Sequence, residues 1–135
     1  MIITRKLVPV QQRIKVTANL FGLNFPMRLE PLVYDITGNI AEKYNGGYWE
    51  FYTLSNGGFY MAPRSDTTFN ISCENGYEGQ LSGDALGIAV CLYAYSNLSF
   101  GVESAFTETC AEQYHLLRDF MLEHAEARGI LGAID

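Results

Sequence analysis

From Thr68 to Glu74 polar and apolar side chains alternate strictly. Phe69, Ile71 and Cys73 stand against Thr68, Asn70, Ser72 and Glu74. A period of two predicts a strand with one buried and one wet face. The preceding stretch, YNGGYWEFYTLSNGGFYMAP over residues 44–63, is rich in aromatics and holds Glu50 as its only charge. Asn56-Gly57 between two apolar runs is a strong hairpin signal. With a two-residue turn, Ser55 pairs with Gly58, Thr53 with Tyr60, Phe51 with Ala62 and Trp49 with Arg64. The last pair would allow a cation–π contact. Both faces carry large apolar groups, which predicts a hairpin that is central or covered on both sides. Strands over 47–54, 59–64 and 68–74 are expected to form a three-stranded antiparallel sheet.

Elsewhere the period lengthens to that of a helix. Residues 10–44 read as two helices. Ile14, Leu20 and Phe21 mark the first, and Gly22 stops it. The second starts near Pro26 and lines Leu29, Leu32, Val33, Ile36 and Ile40 on one face. Apolar residues from Ala85 to Ala94 surround a third helix, which predicts a buried central element capped by Ser82 or Asp84. The last helix is expected from Thr107, as cap, to Gly129. The pattern as a whole predicts an α+β single domain over 1–135, with about four helices flanking the sheet.

That last helix is sharply amphipathic. At 100° per residue, Glu108, Glu112, Asp119, Glu123 and Glu126 fall within about a 60° sector, opposite Phe106, Cys110, Tyr114, Leu117 and Met121. A carboxylate stripe is ordinarily a solvated face. Here the macrodipole of a helix running to Gly129 would disfavour Glu123 and Glu126 near its end. The five acids are therefore candidates for docking a basic partner. Trp49 and Tyr60 are weaker candidates, as aromatics that could stack on bases.

Charge is uneven along the chain. The net charge is −6, yet residues 1–28 hold five bases and no acid. The rest carries fifteen acids against four bases. The basic start reads as a solubilising, partly frayed arm, or else as a contact to phosphate or an acidic partner. The acidic balance disfavours direct DNA binding, because each phosphate contact needs a cation. Cys73, Cys91 and Cys110 are odd in number and widely spaced, as expected of reduced thiols in a cytoplasm. Cys110 and His115 would point to different sides of their helix, and no spacing of His and Cys matches a metal site. No catalytic, cofactor or metal residue is assigned. No apolar run is long enough for a membrane span.

The block NGGYWEFY…LSNGGFYMAP closely resembles the signature of the ArdB/KlcA antirestriction family. The similarity continues through residues 84–99, ending NLSF, and through the closing YHLLRDF segment. The resemblance implies a small, cytoplasmic, mixed α+β protein carried by plasmids and other mobile elements. It implies relief of type I restriction of incoming DNA without enzymatic activity, and supplies no catalytic residues. The implied partner is a component of a type I restriction-modification system. A nucleic-acid-binding accessory role, using residues 1–28 and the hairpin aromatics, is the alternative.

Overall fold

A computed structural model describes residues 2–135. In chain order the elements are β1 (Arg5–Leu7), α1 (Arg13–Phe21), α2 (Glu30–Ile40), β2 (Trp49–Leu54), β3 (Phe59–Pro63), β4 (Phe69–Ser72), β5 (Glu78–Leu81), α3 (Gly83–Leu98), α4 (Ala105–Met121) and α5 (Ala127–Ile134). The fold is α+β, with a three-stranded antiparallel sheet ordered β1-β2-β3 and a separate β4-β5 hairpin.

The third strand of the large sheet is thus β1, from the basic arm, and not residues 68–74. The reason lies at the outer edge of β3. Its outward-pointing backbone groups belong to Phe59 and Met61, and helix side chains occupy them. Gln113 Oε1 accepts from the Phe59 N–H at 2.8 Å, and the Tyr95 hydroxyl donates to the Phe59 carbonyl at 2.7 Å. Cys91 Sγ lies 3.5 Å from both the N and the O of Met61. Pro63, the next outward position, has no N–H to offer. An edge sealed in this way cannot accept another strand. Residues 69–72 instead fold back on Glu78–Leu81 across a turn in which Gly76 takes φ 90°.

The β2–β3 register also differs from the expected one. Trp49 pairs with Pro63, Phe51 with Met61, Tyr52 with Tyr60 and Thr53 with Phe59. Leu54 N–H donates to Gly58 O and Gly57 N–H to Leu54 O, so the loop holds three residues, Ser55, Asn56 and Gly57. Gly57 supplies the positive φ of 95° that this loop requires. Asn56 fixes the choice. Its Oδ1 accepts from Gly58 N–H, and its Nδ2 donates to Leu116 O on α4. One residue of slip moves every β3 side chain to the opposite face. Trp49 therefore does not face Arg64. It packs edge-on against Tyr34 and Tyr44, and Arg64 lies 3.7 Å from Glu50.

The helical half follows its pattern closely at the start and less so at the end. Gly22 caps α1 with φ 61°. A wide π turn over Phe25–Leu29, with Pro26 in it, leads into α2. Ser82 caps α3 by accepting from Ala85 N–H. α3 is the central helix, packed on β3, α2, α4 and α5. Its contact with β3 is so close that a Cβ at Gly87 would lie 2.4 Å from Ala62. Ser104, not Thr107, caps α4, with Thr107 as the return partner of a capping box. α4 ends at Met121, well before Gly129, and the chain turns into α5.

Candidate functional site

The early end of α4 changes the acidic stripe. Glu108, Glu112 and Asp119 lie exposed on α4, as the helical spacing requires, and Glu123 is exposed in the turn beyond it. Glu126 leaves the stripe. It is the residue before α5, at a helix N-terminus, and its carboxylate accepts from Ser82 N–H at 2.9 Å and Ser82 Oγ–H at 2.5 Å. The dipole argument for Glu126 is reversed, since a helix N-terminus favours an anion. Where the helix stops, His124 Nδ1 accepts from Glu126 N–H and the Glu126 carboxylate accepts from Ser82.

Those residues belong to a polar network that joins four distant segments. Asp84, in the first turn of α3, sits at its centre. Oδ1 accepts from Arg5 Nη1 at 2.5 Å and from the Tyr60 hydroxyl at 2.7 Å. Oδ2 lies 2.8 Å from His124 Nε2. Glu126 N–H donates to His124 Nδ1 at 2.9 Å, which leaves the ring proton on Nε2, facing Asp84. Arg5 also donates to the Tyr60 hydroxyl at 2.9 Å and lies 4.3 Å from the Tyr52 ring centroid. Strand β1, strand β3, the start of α3 and the α4–α5 turn are thereby tied together.

Electrostatics agree with this reading. Burial by itself would raise the Asp84 carboxyl. Hydrogen bonds from His124 and Tyr60 and the nearby Arg5 guanidinium outweigh it and hold the group below the ordinary carboxylate value. Burial and the Asp84 charge push the Tyr60 hydroxyl up. Arg5 is raised because Tyr60 and Asp84 overcome its own burial. Both nitrogens of His124, both oxygens of Asp84 and both oxygens of Glu126 are engaged within the network. The network acts as a clamp between distant segments, and its outer side, with Arg5, Asp84 and His124, also lines a surface pocket beside Glu123.

Trp49 and Tyr60 are both buried, Tyr60 at 0% exposure. Their polar tips are also used, Trp49 Nε1 on the Tyr44 hydroxyl at 2.9 Å and Tyr60 on Asp84. Neither presents a ring to solvent. Two bases of the basic stretch have partners within the protein, while Lys6, Lys15 and Arg28 are exposed. Arg5 is held as described, and Arg13 donates to Trp49 O at 2.7 Å and to the Tyr48 hydroxyl at 3.0 Å. Cys73, Cys91 and Cys110 are buried and free. Burial pushes Cys91 up to about 12 and Cys110 up to about 11. Among the described residues, no three His, Cys, Asp or Glu side chains gather as a metal cluster, and no helix is long and apolar enough to cross a membrane.

Sequence reasoning missed Asp84, His124 and Gln113 as organising residues. Their partners lie 24 to 79 positions away, beyond any local pattern. It also missed β5, although Asn75-Gly76 carries the same turn signal as Asn56-Gly57.

The class the structure defines is a small single α+β domain with an internal polar clamp and an exposed acidic helix face. A family model described as antirestriction protein matches residues 42–135. Among similar proteins, an antirestriction protein KlcA of Escherichia coli is 41% identical over 137 residues, covering 98% of this chain and 95% of the relative. A second KlcA of Escherichia coli is 45% identical over 81% of this chain and 76% of its own length. A solved structure from work on the KlcA and ArdB proteins is 40% identical and superposes with a TM-score of 0.90, covering 98% of this chain and 95% of that one. Those proteins are described as having a novel fold and antirestriction activity against type I DNA restriction systems in vivo but not in vitro. The chain belongs to the ArdB/KlcA antirestriction family.

Proposed function

We propose that this protein acts in the cytoplasm to relieve type I restriction of incoming DNA, and does so by binding rather than by catalysis. The observation that carries the reading is the near full-length likeness, at 40% identity and a TM-score of 0.90, to proteins with that activity in vivo. The engaged state of the Asp84–His124–Tyr60 network supports a non-enzymatic mode, since those groups are spent on holding the fold. Activity of those relatives in vivo but not in vitro supports dependence on something the in vitro reaction lacks.

The surface proposed to meet a basic component of the restriction system is the exposed face of α4, with Glu108, Glu112, Asp119 and, in the adjoining turn, Glu123. Complementary charge steers encounter and fixes orientation more than it adds affinity. Direct DNA binding is disfavoured by the overall charge of −6, since each phosphate contact needs a cation. Plating of unmodified phage on a type I restricting host, with and without the expressed protein, tests the function. Restored plating with DNA modification intact is the expected result. Unchanged plating at normal protein levels would refute it.

A further inference from the structure

An apolar cleft of about 480 Å3 opens between α1, the π turn after it and strand β2. Its size is in the usual range for a binding site. Phe25, Phe51 and Thr17 contribute to its walls, with Ile14 and Leu23. These last two do not close over it. Ile14 is 84% and Leu23 82% exposed. Met27 follows one turn after Leu23, through its N–H bond to the Leu23 carbonyl at 3.1 Å, and is 74% exposed. Two large apolar side chains held in water at the cleft, with Met27 exposed one turn further along, are a feature of the kind that marks interaction sites.

The cleft also carries a fixed cation. Arg13 lies among its lining residues, with its guanidinium 4.3 Å from the Phe51 ring centroid. Its Nη2 is used on Trp49 O and the Tyr48 hydroxyl. Its Nε is buried without a hydrogen-bond partner, and Nη1 has none among the described residues. A guanidinium so immobilised has already lost the side-chain entropy that binding would otherwise cost. Lys15 and Arg28 stand exposed on the same two elements. The one acid in the lining, Glu30, accepts from the Tyr34 hydroxyl at 3.2 Å.

We infer that this cleft docks an amphipathic helical segment of a partner protein, with an aliphatic or aromatic anchor in the pocket and a carboxylate beside it on Arg13. Charge complementarity selects this occupant. Arg13 in the lining has a guanidinium nitrogen without an acceptor and Lys15 stands exposed on the same helix, whereas Glu30 is already engaged by Tyr34, so an acidic segment is favoured over a basic one. A carboxylate on Nη1 would supply an acceptor that the protein itself does not. The surface is separate from the acidic α4 face, and rests on the proposed function only for its cellular consequence.

The test uses the full-length protein with labelled Ile, Leu and Met methyl groups, observed by NMR. The probes are three blocked amphipathic helical peptides about four turns long. They share one Leu/Phe stripe and are flanked by Glu, by Gln or by Lys. The Glu peptide should shift the Ile14, Leu23 and Met27 methyls and bind at least about tenfold more tightly than the Gln peptide, with the Lys peptide weakest. Leu23→Glu, an exposed change, should abolish binding without altering the fold, and Arg13→Gln should remove the preference for Glu over Gln. No methyl shifts with the Glu peptide, or equal binding of all three, would overturn the proposal. So would concentration-dependent shifts of the protein alone that Leu23→Glu removes, which would make the occupant a second copy of this chain. Peptide binding is measured without any restriction assay, so its failure is distinct from failure of the proposed function.

Discussion

His124 Nε2 and Asp84 Oδ2 meet at 2.8 Å, joining the turn after α4 to the first turn of α3. Because Glu126 N–H occupies the other ring nitrogen, the imidazole is held in one tautomer and one orientation. Asp84 collects the Arg5 and Tyr60 hydrogen bonds on its other oxygen. Asp84→Ala should therefore cost about 1–3 kcal/mol, mainly by leaving Tyr60 and His124 without their acceptor. Urea unfolding followed by circular dichroism measures it.

Acid should have a related effect. The folded-state value of Asp84 lies below its ordinary one. Its stabilisation is thus fully present above the unfolded-chain value of about 3.9, and is lost as pH falls through the lower folded value. Asp84→Asn should flatten the fall in stability below about pH 4 relative to the unchanged protein. Parallel acid titrations of unfolding midpoints show whether it does.

Gln113 closes the outer edge of β3, which is buried. Its Oε1 accepts from Phe59 N–H at 2.8 Å, and its Nε2 donates to Gly57 O at 3.1 Å. Gln113→Leu should destabilise by about 1–3 kcal/mol, because a buried backbone N–H loses its only acceptor. Hydrogen exchange at the Phe59 amide should accelerate more than at Tyr60, which stays paired with Tyr52.

Gly87 is required where α3 crosses β3. A methyl there would come within 2.4 Å of Ala62 Cα and Cβ and the Met61 carbonyl oxygen. Backbone cannot yield as a flexible side chain can. Gly87→Ala should cost at least about 1–3 kcal/mol, the range of overpacked cores, despite the higher helix propensity of alanine. A lowered thermal midpoint is the readout.

The acidic face gives a functional prediction. Glu112, Asp119 and Glu123 are exposed, so changing all three to lysine should alter stability by under about 0.5 kcal/mol each. Restriction relief should nevertheless be lost, since attraction to a basic partner becomes repulsion. A folded triple variant that protects unmodified phage fully would leave the stripe as a solvated face.

Local pattern determined a good deal of this protein by itself. Gly22, Ser82 and the all-round apolar stretch from Ala85 placed the ends of α1 and α3 and the centrality of α3, because caps and helical periodicity act over a few residues. The alternation at Phe69–Ser72 gave a strand, and the aromatic block with its Asn-Gly-Gly triplets pointed to the family. What the tertiary structure alone decided were matters of partner. Residues 69–72 could not join the large sheet, because Gln113, Tyr95 and Cys91 had already taken the β3 edge. Asn56 in the β2–β3 loop reached Leu116 on α4, and that bond accompanied a three-residue loop and a one-residue change of register. Glu126 lies beyond the early end of α4, off the predicted stripe, and bonds Ser82, some forty positions back in the chain. In each case the deciding hydrogen bonds span 30 to 60 positions in sequence, and a desolvated polar group follows its partner wherever the fold brings one.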